Sequence, residues 1–338
     1  MRRQTTIDVL PCVDNALPAG TVRLPRNHGE GDIPLTAVAT GSDDRMECLL
    51  RKIGVDDAEF TNPAGPGRIH LYHSTGAAID AATPEESELK GTASGGGSWG
   101  RYSQVLLPCE GAEILETSEA LANFTDYANR GGRVLATHFS YVWLFGNDAL
   151  GNLGTWTTGN ASPPPPLVVD VVTSFAAGGD FRTWLAAVGA LSGATPPQIS
   201  ITAPHADLGA LTLGSGTKLW LSSFSPATTQ AVSVEMPIPL PPDKSCGRVI
   251  FSDFHAPARA APNATFPGEC DSDMTLSAEE KALEFMLFEL GSCAGPRVAP
   301  PIVRPPPAPP PPPPPVPPRP PLPPPPDVNA TLRIVEPR

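Results

Sequence analysis

The chain has 338 residues, of which 23 are Lys or Arg and 35 are Asp or Glu, so its formal net charge is −12. No block of basic residues interrupts this acidity, and a nucleic-acid partner is therefore not expected, because phosphate contacts need a basic surface. No apolar run reaches the roughly 18 to 20 residues that cross a bilayer, and the first residues lack the apolar core of a signal peptide. The sequence predicts neither a transmembrane segment nor, in this reading frame, an export signal.

Both ends of the chain lack the pattern of a packed domain. Residues 1–32 hold one short alternating run that Pro, Asn and Gly then interrupt, which predicts either pairing with the main domain or the end of an upstream β-module or linker. Residues 295–327 are predicted to be an extended polyproline II linker, since 21 of the 45 prolines fall between Pro296 and Pro326. Residues 328–338 resemble a truncated strand or tail. We expect further modules upstream and downstream.

Residues 33–294 alternate strand and helix patterns, as an α/β domain does. Five short, mostly apolar runs predict strands that are covered on both faces: residues 33–40, 68–72, 104–108, 133–137 and 247–252. Helical patterns follow several of them. This alternation implies parallel pairing with right-handed crossovers, and so a doubly wound parallel sheet.

The middle of this domain has a looser pattern. Residues 144–180 are rich in Gly, Asn and Pro and are predicted to be an inserted loop. Three later runs predict a small antiparallel extension: residues 199–203, 218–224 and 231–236. At the end, Ser277 and Glu280 have the spacing of a capping box for a last helix that Gly291 ends.

Six cysteines are widely spaced without a CxxC pair, so they are either idle thiols or disulfides of an exported protein. In a doubly wound fold the start of a strand and the end of its following helix share one edge of the sheet. Cys246 and Cys293 occupy such positions, and we predict a disulfide between them. Cys48, Cys109 and Cys270 belong to the opposite edge, where one further pair can form.

Polar residues follow several of the predicted strands. In an open parallel sheet, ligands bind beyond the carboxyl ends of the strands. The candidate ligand-binding residues at this edge, the rim of the predicted sheet, are Ser42, Asp43, Glu110, His138, Ser140, Asp253 and His255. The alternatives without a ligand are a helix cap for Asp43, a chain turn for Glu110 and hydrogen-bonded structural roles for the two histidines.

Two kinds of chemistry are compatible with this rim. A divalent metal would be held by Glu110, His138, Asp253 and His255, and no other cofactor is indicated. Catalysis without a metal would use His138, Glu110 or His255. The serine-hydrolase elbow, the zincin motif and the phosphate loop are all missing from the sequence.

Two segments carry a resemblance to a known family. Gly131–His138 combines two glycines, an apolar strand and a histidine, and Gly247–His255 combines Gly-Arg-Val, a strand and a histidine. Both are similar to segments of the trehalose-utilisation (ThuA-like) branch of the class I glutamine amidotransferase-like superfamily. The resemblance implies a flavodoxin-like fold over roughly residues 33–294, with His138 and His255 lining the pocket.

The departures from that family matter for function. A glutamine amidotransferase needs a cysteine nucleophile after the fourth strand, where this chain has His138, and we therefore expect no glutaminase activity. The chain also resembles uncharacterised bacterial surface proteins that carry a carboxypeptidase-regulatory-like module, which implies a cell-envelope or secreted location. We expect a domain that binds a small polar ligand such as a sugar without turnover. The alternatives are a metal-assisted or His-based hydrolase or isomerase acting on carbohydrate, and a pure scaffold.

Overall fold

The computed structural model describes residues 1–292, apart from residues 9, 19, 22, 92–95, 160–161, 213, 215 and 257–263. The predicted proline-rich linker 295–327, the tail 328–338 and Cys293 lie outside the described residues. No helix in the described part of the chain is long and apolar enough to cross a membrane.

Thirteen strands are present in the described residues. They are β1 Thr36–Thr40, β2 Phe60–Thr61, β3 Ile69–His73, β4 Gln104–Leu107, β5 Arg133–Thr137, β6 Gly154–Trp156, β7 Leu167–Val171, β8 Gly193–Ala194, β9 Pro197–Ile201, β10 Leu208–Leu211, β11 Thr217–Phe224, β12 Ala227–Met236 and β13 Gly247–Ser252. Eleven of them form one sheet in the order β2-β3-β1-β4-β5-β13-β12-β11-β7-β9-β8, and β6 pairs with β10.

The first half of the large sheet is parallel and confirms the predicted strands. All neighbours from β2 to β13 in the sheet order pair in parallel. Numbered by sequence, the five long parallel strands β3-β1-β4-β5-β13 have the order 2-1-3-4-5 of a flavodoxin-like sheet. Their carboxyl ends therefore share one edge, which we call the rim.

The second half of the sheet is antiparallel and larger than predicted. From β13 onward the neighbours β12, β11, β7, β9 and β8 all pair antiparallel. The prediction of an inserted loop over residues 144–180 is wrong for Leu167–Val171, because β7 is an interior strand of this sheet. Leu167, Val169 and Val171 are buried while Val168 is exposed, an alternation that the preceding prolines obscure in the sequence.

Six helices lie on the two faces of the sheet. They are α1 Met46–Lys52, α2 Glu86–Lys90, α3 Ser118–Asn129, α4 Val142–Phe145, α5 Ala176–Ala187 and α6 Ala278–Leu290. Side chains of α1, α5 and α6 pack with Val38 and Ile250 on one face. Those of α2, α3 and α4 pack with Ala37 and Val249 on the other. Adjacent strand residues thus point to opposite cores, as a doubly wound sheet requires.

One of the two predicted helix caps is present in the structure and the other is not. The capping box is formed: Ser277 accepts from the Glu280 amide, and the Glu280 side chain accepts from the Ser277 amide. The predicted cap at Asp43 is wrong, because α1 begins later, with Arg45 at the N-cap position and no side-chain cap. The acidic residues before α1 therefore have other partners, which are described below.

The cysteines form one pair in the described residues. Cys48 and Cys270 form a disulfide with a Cα–Cα distance of 5.3 Å, which confirms that one pair forms at the rim edge. Cys246 is exposed and carries a free thiol. The predicted Cys246–Cys293 pair involves Cys293, which lies outside the described residues. Cys12 is free and exposed, and Cys109 is free and buried.

Residues 1–32 contain no strand within their described part. A single bridge joins Arg2 to Asp32. The segment also contacts the main domain, because the Asp56 amide donates to the Arg26 carbonyl and the His28 ring lies 2.7 Å from the Glu59 carboxylate.

Candidate functional site

The rim residue with the most unusual backbone is His138. It directly follows β5 and opens a short 3-10 turn, His138–Tyr141, with a φ of +35°. Such a conformation is disfavoured for a residue with a Cβ and persists only where the surrounding structure enforces it. Here the turn aims the His138 ring back over the carboxyl ends of the neighbouring strands.

Three imidazole rings meet at this point. The His138 ring stacks on that of His205 with 3.4 Å between centroids, and the His255 ring lies 4.5 Å from His138 and 4.7 Å from His205. His138 follows β5, His205 lies between β9 and β10, and His255 follows β13. The predicted proximity of His138 and His255 is present, and His205 is an additional member of the cluster.

His138 has a polar partner at each ring nitrogen. Its Nδ1 lies 3.4 Å from the Cys109 Sγ, and its Nε2 lies 3.4 Å from the Asp207 Oδ2. The ring is 1% exposed, and burial lowers the pKa of His138, against the opposing effect of Asp207. The neutral imidazole that results is the form that binds metals.

His255 is oriented by a buried carboxylate. Its Nδ1 lies 3.2 Å from the Asp44 Oδ1, which also accepts from the Ala256 amide at 2.7 Å. The other Asp44 oxygen accepts from the Thr137 hydroxyl. Asp44 therefore connects the loop after β1 to the ends of β5 and β13, instead of capping α1.

Asp253 holds the segment that carries His205 and Asp207. Its Oδ2 accepts from the Asp207 and Leu208 amides at 2.9 and 3.1 Å, and its own carbonyl accepts from the His205 amide. Burial, followed by the nearby Asp207 carboxylate, raises the pKa of Asp253 well above its usual range. Asp253 thus acts on the backbone of this segment and is a positioning residue.

The donor atoms form two groups of metal-ligand type in the described part of the chain around His138. One group is His138, His205 and Asp207, and the other is Cys109, His138 and His255. Within each group the ligand atoms lie within 4.8 Å of one another. Since Asp207 and Cys109 face opposite nitrogens of the His138 ring, one ion can use only one of the two groups.

Cys109 is poorly suited to be a nucleophile. It forms a chain with His138 and Asp207 that resembles the order of a catalytic triad. However, the thiol is completely buried, and burial together with the Asp44 charge raises its pKa. A nucleophilic cysteine needs a lowered pKa and access to substrate, and Cys109 has neither.

The other predicted rim residues support the loops. The Ser42 hydroxyl donates to the Glu110 carbonyl at 2.9 Å, and the Asp43 amide donates to the Cys109 carbonyl at 3.2 Å. Ser140 donates its hydroxyl to the Pro108 carbonyl. The Glu110 carboxylate lies near Glu86 on α2, where burial and then Glu110 raise the pKa of Glu86 to about 8. These side chains do not belong to either metal-ligand group.

Sequence reasoning missed His205, Asp207 and the role of Asp44. His205 and Asp207 lie in the short segment 202–207, between β9 of the antiparallel half and β10, which pairs with β6. A histidine and an aspartate two residues apart in a turn were the only local signal. Whether His205 and Asp207 contact His138 depends on where β9 and β10 lie relative to the rim. The local sequence pattern does not report that position.

A cavity of about 710 Å³ lies away from this cluster and is lined by Arg68, Gln104 and Arg133 among others. Gln104 and Arg133 are the first residues of β4 and β5, so this cavity is at the edge opposite the rim.

No protein-family model matches the chain, and no curated protein matches it significantly. Solved structures with a similar fold include a ThuA-like protein from Bacteroides uniformis, with 12% identity and a TM-score of 0.39 over 81% of this chain and 95% of that one. A cytoplasmic protein from Salmonella typhimurium has 10% identity and a TM-score of 0.39 over 76% and 98%. PurLQS from Thermotoga maritima has 10% identity and a TM-score of 0.36 over 75% and 98%.

One of these structures is described as ThuA-like, the family branch that the sequence resemblance named. The identities are too low for any residue, ligand or activity to be carried over from them.

Proposed function

We propose that this domain is a metal-assisted hydrolase for a small polar substrate such as a sugar, with a divalent transition-metal ion held by His138, His205 and Asp207. The observation that carries the proposal is the convergence of these three donors within 4.8 Å at the rim. Two imidazoles and one carboxylate are the ligands of open catalytic zinc sites, which leave a position for water or substrate. The half-buried His205 gives this group its contact with solvent.

His255 is the proposed general base. The buried Asp44 carboxylate faces its Nδ1, so it orients the ring and stabilises the imidazolium that forms when the ring takes a proton. Its ring centroid lies within 5 Å of both proposed imidazole ligands. His255 would therefore act as a base close to a metal ion held by His138 and His205.

Metal analysis of the purified protein tests the proposed metal site at His138, His205 and Asp207. We expect about one equivalent of a transition metal per chain, and its loss in His138→Ala and Asp207→Asn. The matched control is His73→Gln, because His73 also ends a parallel strand but contacts Glu85 instead of the cluster. If the wild type and the two cluster variants hold equal amounts of metal, the proposed centre is wrong.

A second candidate, ligand binding without turnover, is favoured by the burial of the cluster, since His138 and Asp207 are each only 1% exposed. His255→Gln separates the two functions. We expect this variant to keep its metal and to lose hydrolysis of small nitrophenyl glycosides and esters. If the metal-loaded wild type binds sugars but hydrolyses none of these compounds, the binding function is the correct one.

We also propose an exported or cell-envelope location. The Cys48–Cys270 disulfide supports it, because structural disulfides persist in oxidising compartments. Cell fractionation followed by mass mapping of an unreduced digest tests this. A cytoplasmic protein with Cys48 and Cys270 reduced would contradict it.

A further inference from the structure

A second cluster of ligand-type side chains surrounds the disulfide. It consists of Glu47 and Cys48 in α1 and of Glu269 and Cys270 in the segment before α6. The Glu269 Oε1 lies 3.7 Å from the Cys48 Sγ and 3.6 Å from the Cys270 Sγ. Cys48, Glu269 and Cys270 therefore form a third group whose ligand atoms lie within 4.8 Å of one another. None of these residues belongs to the His138 site.

The carboxylates of this second cluster lack hydrogen-bond donors. Both oxygens of Glu47 and the Oε2 of Glu269 are buried without a hydrogen-bond partner, and Glu47 is completely buried. A buried carboxylate oxygen without a hydrogen-bond partner is unfavourable, because it has lost its contact with water and gained nothing in return. A disulfide has no proton to donate, so the oxidised cluster leaves these oxygens unsatisfied.

The ionisable groups around the second cluster are mostly acids. Asp44 and Glu269 both act on Glu47, and Arg45 is the cation that opposes them. Arg45 is held elsewhere, since its guanidinium donates to the Glu269 carbonyl and pairs with Asp271. A cation bound between Glu269 and the two sulfurs would add positive charge to this acidic surrounding.

We propose that reduction of the Cys48–Cys270 disulfide turns this cluster into a second metal site, which binds a zinc-like cation through Cys48, Cys270 and Glu269. Two thiolates and carboxylate oxygens suit Zn²⁺, which takes sulfur and oxygen ligands in tetrahedral sites. The Cα–Cα distance of 5.3 Å already brings the two sulfurs together.

The conversion balances with a dithiol reductant. The reductant supplies two electrons and two protons, the S–S bond breaks, and two thiols form while the reductant becomes a disulfide. The cation then displaces both thiol protons to solvent as the two S–metal bonds form. In the reverse exchange, the oxidised form of the reductant takes two electrons from the thiolates and two protons from solvent, the Cys48–Cys270 bond forms again, and the cation is released.

Zinc titration of the full chain in its oxidised and dithiothreitol-reduced forms tests this proposal. The titration is carried out in the His138→Ala variant, which lacks a ligand of the metal site in the proposed function. Zinc bound at the Cys48–Cys270 cluster is then measured separately from zinc bound at the His138 site. We expect one additional equivalent of Zn²⁺ in the reduced form, and thiolate-to-metal absorption when Co²⁺ replaces zinc. Cys246→Ser is the matched control, since it removes an exposed free thiol from outside the cluster.

Two variants distinguish ligand loss from misfolding. Cys48→Ser should abolish the additional equivalent. Glu269→Gln keeps the disulfide in the oxidised protein, so its folding is checked in that form, and after reduction it should weaken zinc binding at least tenfold. The proposal is overturned if the reduced protein binds no more zinc than the oxidised protein, or if Cys246→Ser removes the additional equivalent and Cys48→Ser does not.

Discussion

Replacing Glu47 with glutamine should change how stability depends on pH. Burial is the largest cause that raises the pKa of Glu47 from 4.5 to about 8. A carboxyl group whose pKa is higher in the folded protein favours folding at low pH. That contribution is lost as the pH rises from about 4.5 through about 8, because the unfolded chain ionises first. For this group alone, the free energy of unfolding should fall by about 3 to 4 kcal/mol between pH 5 and pH 8.5.

Urea unfolding of the oxidised protein at pH 5, 7 and 8.5 measures this effect. The variant Glu47→Gln has no carboxyl group to titrate, so the difference in unfolding free energy, variant minus wild type, should grow by about 3 to 4 kcal/mol over this range. Glu86 and Glu116 titrate in both proteins and cancel in the difference. A constant difference for Glu47→Gln would refute the argument that burial keeps Glu47 protonated.

Three further substitutions test the packing and the site. Arg248→Met should lower the free energy of unfolding by about 3 to 5 kcal/mol in urea titrations, since the buried guanidinium pairs with both Glu235 and Glu289; a loss below 1 kcal/mol would contradict this. Ser277→Ala removes a capping box and should cost about 1 kcal/mol, measured in the same way. Asp253→Ala should weaken zinc binding about 10- to 100-fold in calorimetric titrations, because Asp253 positions the segment that carries two proposed ligands; unchanged affinity would show that this support is dispensable.

Local sequence patterns were sufficient to predict the strands of the parallel half of the sheet. Apart from the two-residue strand Phe60–Thr61, the strands up to Arg133–Thr137 and the late strand Gly247–Ser252 were predicted within a few residues, since buried parallel strands are short apolar runs between turn residues. The capping box before α6 depends on two residues three apart and was also predicted correctly. The interior strand Leu167–Val171 was missed, because a run of prolines precedes it and its alternation is short.

The sequence by itself determined which residues end the parallel strands, and so it placed His138 and His255 at one edge of the sheet. Only the tertiary structure decided which side chains join them. The antiparallel half brings His205 and Asp207 to the rim from about 50 to 70 residues away along the chain, and the disulfide joins Cys48 to Cys270 across 222 residues. Hydrophobic periodicity reports which face of an element is buried. It does not report which loops meet, because that depends on sheet order and on contacts distant in sequence.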